Sequence, residues 1–435
     1  MKSSKLAIAL ALLLLGGSCA SADSLQEAIN VDYEKNLADL FAHFHENPEL
    51  SFREFETAKR MANELRNLGY EVTEGVGGTG VVAVLENGDG PTVLLRADMD
   101  GLPVAEASGL PYASTVRQND LNGIERSVMH ACGHDVHITS LVGYAKQLIV
   151  RRDRWSGTLV LICQPAEEIA SGARAMLNDG LYERFPKPDY AIGFHVISNI
   201  SSGKIVVGYQ TVGSSMDSVD ILVRGVGTHG ASPHAGIDPV LVASHIVVSL
   251  QSIVSRTIPP MKPGVITVGS IHGGSKHNII GNQVKMQLTV RADDPETRAT
   301  LLDSIDRVAD GVARSLGVPE HLLPEVVRST TDTTPPNIND EPTARFLKKA
   351  FIEHFEDGIV IERARDGMGA EDFAYYGQPK RKVKSVFFLV GGSVAKDMDD
   401  APPHHSPKFQ INPEPAIKTG VEAMVVAAMS LFEKK

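Results

Sequence analysis

Residues 157–168 read "GTLVLICQPAEE": an apolar run that stops on two glutamates. A short continuous apolar run without alternation fits a strand covered on both faces. The same pattern recurs twice. "PTVLLRADMD", residues 91–100, runs into Asp98 and Asp100, and "PDYAIGFHV", residues 188–196, into His195. Helical stretches lie between these runs. "VHITSLVGYAKQLIV", residues 136–150, puts Ile138, Leu141, Val142, Ala145 and Ile149 on one face, and "GARAMLNDGLYE", residues 172–183, reads as a second helix. Strands alternating with helices predict an α/β fold with a mixed, largely parallel sheet. Ligands in such sheets bind outside the carboxyl ends of the strands. Three strand ends carrying ionisable groups therefore point to one candidate site.

Around Tyr209 the pattern changes. "MDSVDILVRG" (216–225) reads as a strand and "DPVLVASHIVVSLQSIV" (238–254) as a helix. "VITVGSI" (265–271) and "QVKMQLTVRAD" (283–293) are two more strands. "ETRATLLDSIDRVADGVARSL" (296–316) is a helix and "PEVVRSTTDT" (324–333) a strand. The order β-α-β-β-α-β is that of a ferredoxin-like unit. Residues 211–331 are thus read as an inserted α+β domain, with 23–210 and 332–435 forming the first domain.

Lys2 and Lys5 precede "LAIALALLLLGG" (6–17) and "ASA" (20–22), which reads as a secretory signal peptide over residues 1–22. A secreted or periplasmic protein with no later membrane span is expected. A lipid anchor at Cys19 is the lesser reading. The net charge of −11, with no basic stripe, excludes a general nucleic-acid binder. Cleavage leaves Cys132 and Cys163, which could pair in an oxidising compartment. Cys163 lies inside an apolar run and reads as a core residue, whereas Cys132 lies among histidines.

Metal-ligand types collect in "HACGHDVHIT", residues 130–139. Gly133 lets the backbone turn so that Cys132 and His134 can face one ion. Glu167 and Glu168 are adjacent, so on an extended chain they point to opposite sides, one to a metal and one free. His195, His404 and His405 complete the candidates; His130 and His137 read as polar residues at a helix start. Thiolate, imidazole and carboxylate together suit zinc or a similar divalent ion, and the set exceeds what one closed site needs.

Eight stretches, in order, resemble the M20 metallopeptidases. They are "FHENPELSFREFETAKRMANELRNLGY", "LLRADMDGLPV", "MHACGHDVHITSLVG", "QPAEE", "GFHV", "GTHGASPH", "MGAEDFAYY" and "HHSP". The resemblance is to the amidohydrolase branch, with hippurate hydrolases and auxin-amino-acid hydrolases. It implies a zinc-peptidase-like catalytic domain with two divalent metal ions, zinc or manganese, and an inserted lid that also dimerises. Carried over motif by motif, Cys132, His134, Glu168, His195 and His405 look like metal ligands, with Cys132 bridging. Glu167 looks like the general base, His229 like a lid histidine assisting the transition state, and Asp98 like the residue orienting a ligand. His404 stands where the family usually has Leu. Thr228 replaces a usual Gly, and "HNIIG" (277–281) departs from the usual lid motif.

The implied function is an exported metal-dependent amidohydrolase that cleaves N-acyl amino acids or small peptides by metal-activated water. A dipeptidase or aminoacylase of the same fold is the alternative, and a non-catalytic binding protein a more distant one. The expected partners are a small-molecule substrate and a second copy of the chain in a homodimer.

Overall fold

The computed structural model describes residues 24–433. The expected signal peptide lies outside them.

The apolar runs form the centre of a seven-stranded sheet. Gly157–Gln164, Thr92–Asp98, Tyr190–Ser201 and Lys384–Ser393 are adjacent and mutually parallel. Gly80–Asn87 and then Glu71–Val76 extend one edge antiparallel, and Ile205–Val206 closes the other. The sheet is therefore mixed with a parallel core. Helices cover both faces, and Gly157–Gln164 is buried almost throughout. Its continuous apolar character has that cause. The helix His134–Val150 is likewise buried along nearly its whole length, packed on the sheet and against the helix Pro413–Glu433, which also lies on the sheet.

Two expectations change in detail. The helix read over 172–183 is two, Gly172–Asn178 and Leu181–Arg184, separated where Gly180 takes φ +88°. His195 does not end its strand. Tyr190–Ser201 continues past it, and the neighbouring strand stops instead: Arg96 pairs with Gly193, which sets Asp98, the last residue of Thr92–Asp98, level with His195.

The second unit is a four-stranded antiparallel sheet in the order Gly264–Gly273, Gln283–Ala292, Met216–Arg224, Glu325–Thr334. Helices Pro239–Arg256 and Pro295–Ser315 pack on it around a separate core that includes Ile221, Ile246, Met286 and Leu301. With strands numbered along the chain, the order is that of the ferredoxin-like unit read from the sequence. The two chain crossings meet: Thr211–Gly213 pairs with Asn337–Ile338.

The reading that no later segment is long and apolar enough to cross a membrane needs amending. Pro239–Arg256 and Pro413–Glu433 both meet that test by length and composition. Each packs on one of the two sheets; a core helix meets the same criterion.

Candidate metal centre

Four segments deliver the site. Gly133 takes φ +86°, and a Cβ there would lie 2.4 Å from Val196 Cγ1, so the chain must turn on glycine between Cys132 and His134. Glu167 and Glu168 do not lie on an extended chain. Ala166 and Ala170 both hold positive φ, and a Cβ on Gly172 would sit 1.5 Å from the Pro165 carbonyl oxygen. This tight turn is held by buried carboxylates. Glu54 accepts from Ala166 N–H at 2.8 Å, and the Asp100 carboxylate accepts from the N–H groups of Glu167 and Glu168, both at 3.1 Å.

The turn sends the two glutamates apart. Glu168 Oε1 lies 3.8 Å from His134 Nε2, and Glu168 Oε2 lies 3.3 Å from His405 Nε2. Cys132 Sγ lies 3.4 Å from His195 Nε2 and 3.7 Å from His404 Nδ1. Ligand atoms of Cys132, His134 and Glu168 fall within 4.8 Å of one another, as do those of Cys132, His195 and His404. All five residues read as ligands therefore meet, with Cys132 shared between two groups. His405 enters through Glu168, its ring half exposed and its backbone at φ +61°.

Ring tautomers sort the histidines. His134 Nδ1–H donates to the Asp100 carbonyl oxygen at 2.8 Å, which leaves the Nε2 lone pair facing the cluster. His195 Nδ1–H donates to the Val196 carbonyl oxygen at 2.6 Å and frees Nε2 in the same way. His137 is different. It accepts from Val196 N–H at Nε2 and donates from Nδ1 to Asp98, so both nitrogens are used inside the protein. It ties Asp98 to the next strand. Asp98 was read as orienting a ligand. It contacts His134 at Nε2, 3.4 Å away, while the orienting contact on Nδ1 comes from Asp100. His130, read as a polar residue at a helix start, lies just before the helix His134–Val150 and is buried, and burial lowers its pKa to about 4.

A cation fits this arrangement. His134 Nε2 and Glu168 Oε1 are buried, face one another and have no hydrogen-bond partner, a costly state for isolated polar atoms. Burial, with Glu168, Glu167 and Asp98 nearby, pushes the Cys132 thiol well up. Burial raises Glu168 to about 8 against the pull of His134. Against burial, Asp98, Asp100 and Glu168 raise His134 to about 10. The protein alone thus favours protons at these atoms. Divalent ions would displace them, as metal binding to thiols and imidazoles does. Cys132, His134, Glu168, His195 and His405 would hold the ions. Cys132 and Cys163 are both free thiols, so the possible disulfide is not made.

Behind Glu167 stands a network that the sequence reading missed. The guanidinium of Arg96, fully buried in its strand, donates to Gln164 (2.9 Å), Asp98 (2.6 Å), Glu371 (2.7 Å) and Asp372 (3.3 Å). Carboxylate oxygens of Glu167, Glu371 and Asp372 lie within 4.8 Å of one another. Burial, then Glu371 and Glu168, raise Glu167 well above the usual carboxylate range. One signal was available: a charged residue inside "TVLLRAD" must find partners if that run is a buried strand.

A cavity of about 640 Å³ opens on the cluster. Cys132, Glu167, Glu168, His195, His404 and His405 line one side, and Ile197, Ile200, Val206, Met216 and Leu389 supply apolar surface. Arg291 also lines it, donating only to the Thr289 hydroxyl and the Met368 carbonyl among the described residues. His229 does not line the cavity. It is exposed on the short strand Thr228–His229 of the second unit, its Nδ1 accepting from Ala231 N–H.

The model of peptidase family M20/M25/M40 matches residues 94–430. The hippurate hydrolase of Campylobacter jejuni is 37% identical over 352 residues, spanning 81% of this chain and 87% of that protein. The N-acetyl-L-cysteine deacetylase of Bacillus subtilis is 35% identical over 386 residues, 88% of this chain and 86% of its own length. Among solved structures, the Bacillus subtilis YXEP protein, described as a dinuclear metal binding peptidase from the M20 family, superposes with a TM-score of 0.76. It is 29% identical, over 93% of this chain and 100% of that one.

Proposed function

The chain belongs to peptidase family M20/M25/M40, as a metal-dependent hydrolase of its amidohydrolase and peptidase group, and we propose that it is an exported amidohydrolase of N-acyl amino acids or small peptides. The observation that carries this reading is the placement of Glu167. It lines the cavity beside the metal-ligand cluster, yet its turn directs it away from that cluster and toward Glu371 and Asp372. A pure binding protein has no use for such a carboxylate.

Bound zinc or manganese ions would supply a Lewis acid and bring the pKa of a water from near 16 to roughly 7. The residues supply the rest. Glu167 takes the proton from the attacking water and returns it to the leaving amine. Burial and the neighbouring carboxylates raise its proton affinity, which suits the return of the proton to the amine. The apolar wall of Ile197, Ile200, Val206 and Leu389 suits an acyl group, and Arg291 offers a charge to a substrate carboxylate. The relatives named for hippurate and N-acetyl-L-cysteine support this substrate class.

His229 would serve the oxyanion only after moving to the cavity, and the paired crossings Thr211–Gly213 and Asn337–Ile338 are where the second unit would pivot as a lid. A homodimer would use the outer face of Pro239–Arg256, where Val240, Leu241 and Val248 are exposed. Export rests on the leader read over residues 1–22.

The test is Glu167→Gln, assayed by amine release from hippurate and N-acetyl amino acids in protein reconstituted with Mn²⁺ or Zn²⁺. Turnover falls by about 10²–10⁴ with metal content unchanged. Wild-type turnover in that variant overturns the assignment. Failure of the wild-type protein on every acyl amino acid, with turnover of dipeptides, favours the dipeptidase alternative.

A further inference from the structure

Two histidines approach the same sulfur in opposite electronic states. A neutral imidazole carries one N–H and one lone pair, and the partner of one nitrogen fixes the other. His195 donates from Nδ1 to the Val196 carbonyl oxygen, so it turns the Nε2 lone pair toward Cys132 Sγ at 3.4 Å. A lone pair facing a thiolate repels it unless a cation lies between them. His404 is the reverse. The backbone N–H of Ser198 donates to His404 Nε2 at 3.1 Å, and an N–H cannot be donated to another N–H. Nε2 therefore holds the lone pair and Nδ1 the hydrogen, and Nδ1 lies 3.7 Å from Cys132 Sγ. The ring is braced by Phe409, with centroids 4.7 Å apart.

We propose that His404 is a positioning residue that donates an N–H···S hydrogen bond from Nδ1 to the Cys132 thiolate, and is not itself a metal ligand, although Cys132, His195 and His404 lie close enough to be taken for a ligand set. This rests on the reading of Cys132 as a ligand. The bond withdraws charge from the sulfur and fixes its position between the two groups of ligands. Such outer contacts typically govern 10–100-fold in metal affinity or activity. Ligation by Nδ1 would require both ring nitrogens of His404 to act as acceptors, which a neutral imidazole cannot do.

The experiment uses the full chain loaded with Co²⁺, read by its sulfur-to-cobalt charge-transfer absorption and by the number of ions bound at saturation. His404→Leu shifts the band to lower energy, because an undonated sulfur gives up its electrons more readily, and the ion count stays at the wild-type value. His404→Asn, which places an amide N–H near the Nδ1 position, returns the band toward wild type. A band unmoved in His404→Leu overturns the hydrogen bond. Loss of one ion in both variants makes His404 a ligand and overturns the proposal. A wild-type protein that binds cobalt without any sulfur band removes Cys132 from the site, and the proposal with it.

Discussion

Replacing Arg96 by Met tests the physical core of the site. The side chain is fully buried, and its guanidinium serves Asp98, Glu371 and Asp372 at once, with Gln164 on Nε. Met fills similar space and carries no charge. Three buried carboxylates then lose their cation. Breaking a buried pair from one side costs about 3–5 kcal/mol, because the remaining charge is left uncompensated. Against a total stability of about 5–15 kcal/mol, that is a large loss. Trp155, the single tryptophan, is stacked on Phe432 in the first unit and reports its unfolding alone. With a urea slope of about 2–3 kcal/mol per molar, the Trp155 fluorescence midpoint of the metal-free protein falls by about 1–2.5 M. The pH dependence has a definite sign. Arg96 works against burial to hold Asp98 well below the usual carboxylate range. That contribution is present above the ordinary Asp pKa and is lost as pH falls through the depressed one. Burial already raises Glu371, and raises Asp372 to about 8, against the pull of Arg96; without Arg96 all three carboxylates rise and take up more protons on folding, so acid relieves the defect. The gap between the proteins is therefore wide at pH 8 and narrow at pH 5. Arg96→Lys keeps the charge without the fork and falls between. A midpoint for Arg96→Met equal to wild type at pH 8, or a gap that widens in acid, refutes this reasoning.

His229→Ala leaves metal content and unfolding unchanged, since the residue is exposed and does not line the cavity beside the ligand cluster, and lowers turnover by about 10²–10³ if the second unit delivers it to the oxyanion; retained turnover removes it from the mechanism. His45 is buried between Asp135 (2.7 Å) and Glu106 (3.1 Å), which, against the opposing effect of burial, raise its pKa to about 10. The stability it adds is complete below its ordinary value near 6.5 and is lost as pH rises toward 10. The unfolding-midpoint difference between wild type and His45→Gln therefore shrinks steadily from pH 6 to pH 10, and a constant difference contradicts the ion pair.

The sequence showed what periodicity and strand ends encode. The apolar runs at 91–100, 157–168 and 188–196 marked three of the four parallel strands because burial on both faces removes alternation, and the β-α-β-β-α-β order outlined the second unit from local patterns. Glu167, Glu168 and His195 were legible because they follow those runs or lie near their ends, and Cys132 and His134 because metal-ligand types crowd into residues 130–139. What escaped was set by pairing at a distance. Arg96 meets Glu371 and Asp372 across some 275 positions, and no local window contains both sides. Asp100 was seen as one more acid at a strand end, yet its carboxylate holds the turn that parts Glu167 from Glu168. The roles of His137 and His404 depend on which backbone N–H each ring receives, a tertiary fact with no sequence signature.

These contacts share one cause. Asp98, Asp100, Glu371 and Asp372 are buried, Glu167 and Glu168 are nearly so, and the Cys132 sulfur lies among them. Arg96 is the one guanidinium reaching into this group among the described residues. It neutralises the side behind Glu167 and does not reach Glu168 or Cys132. His137 and His404 are held in tautomers that donate a hydrogen while staying uncharged, so they steady Asp98 and Cys132 without neutralising them. Where His134, His195, Glu168 and Cys132 converge the protein supplies only protons, which bound cations would displace. A fold that buries anions on one side of a strand end and supplies its own cation on the other has left a place for cations from outside, and Glu167 stands at the boundary between the two.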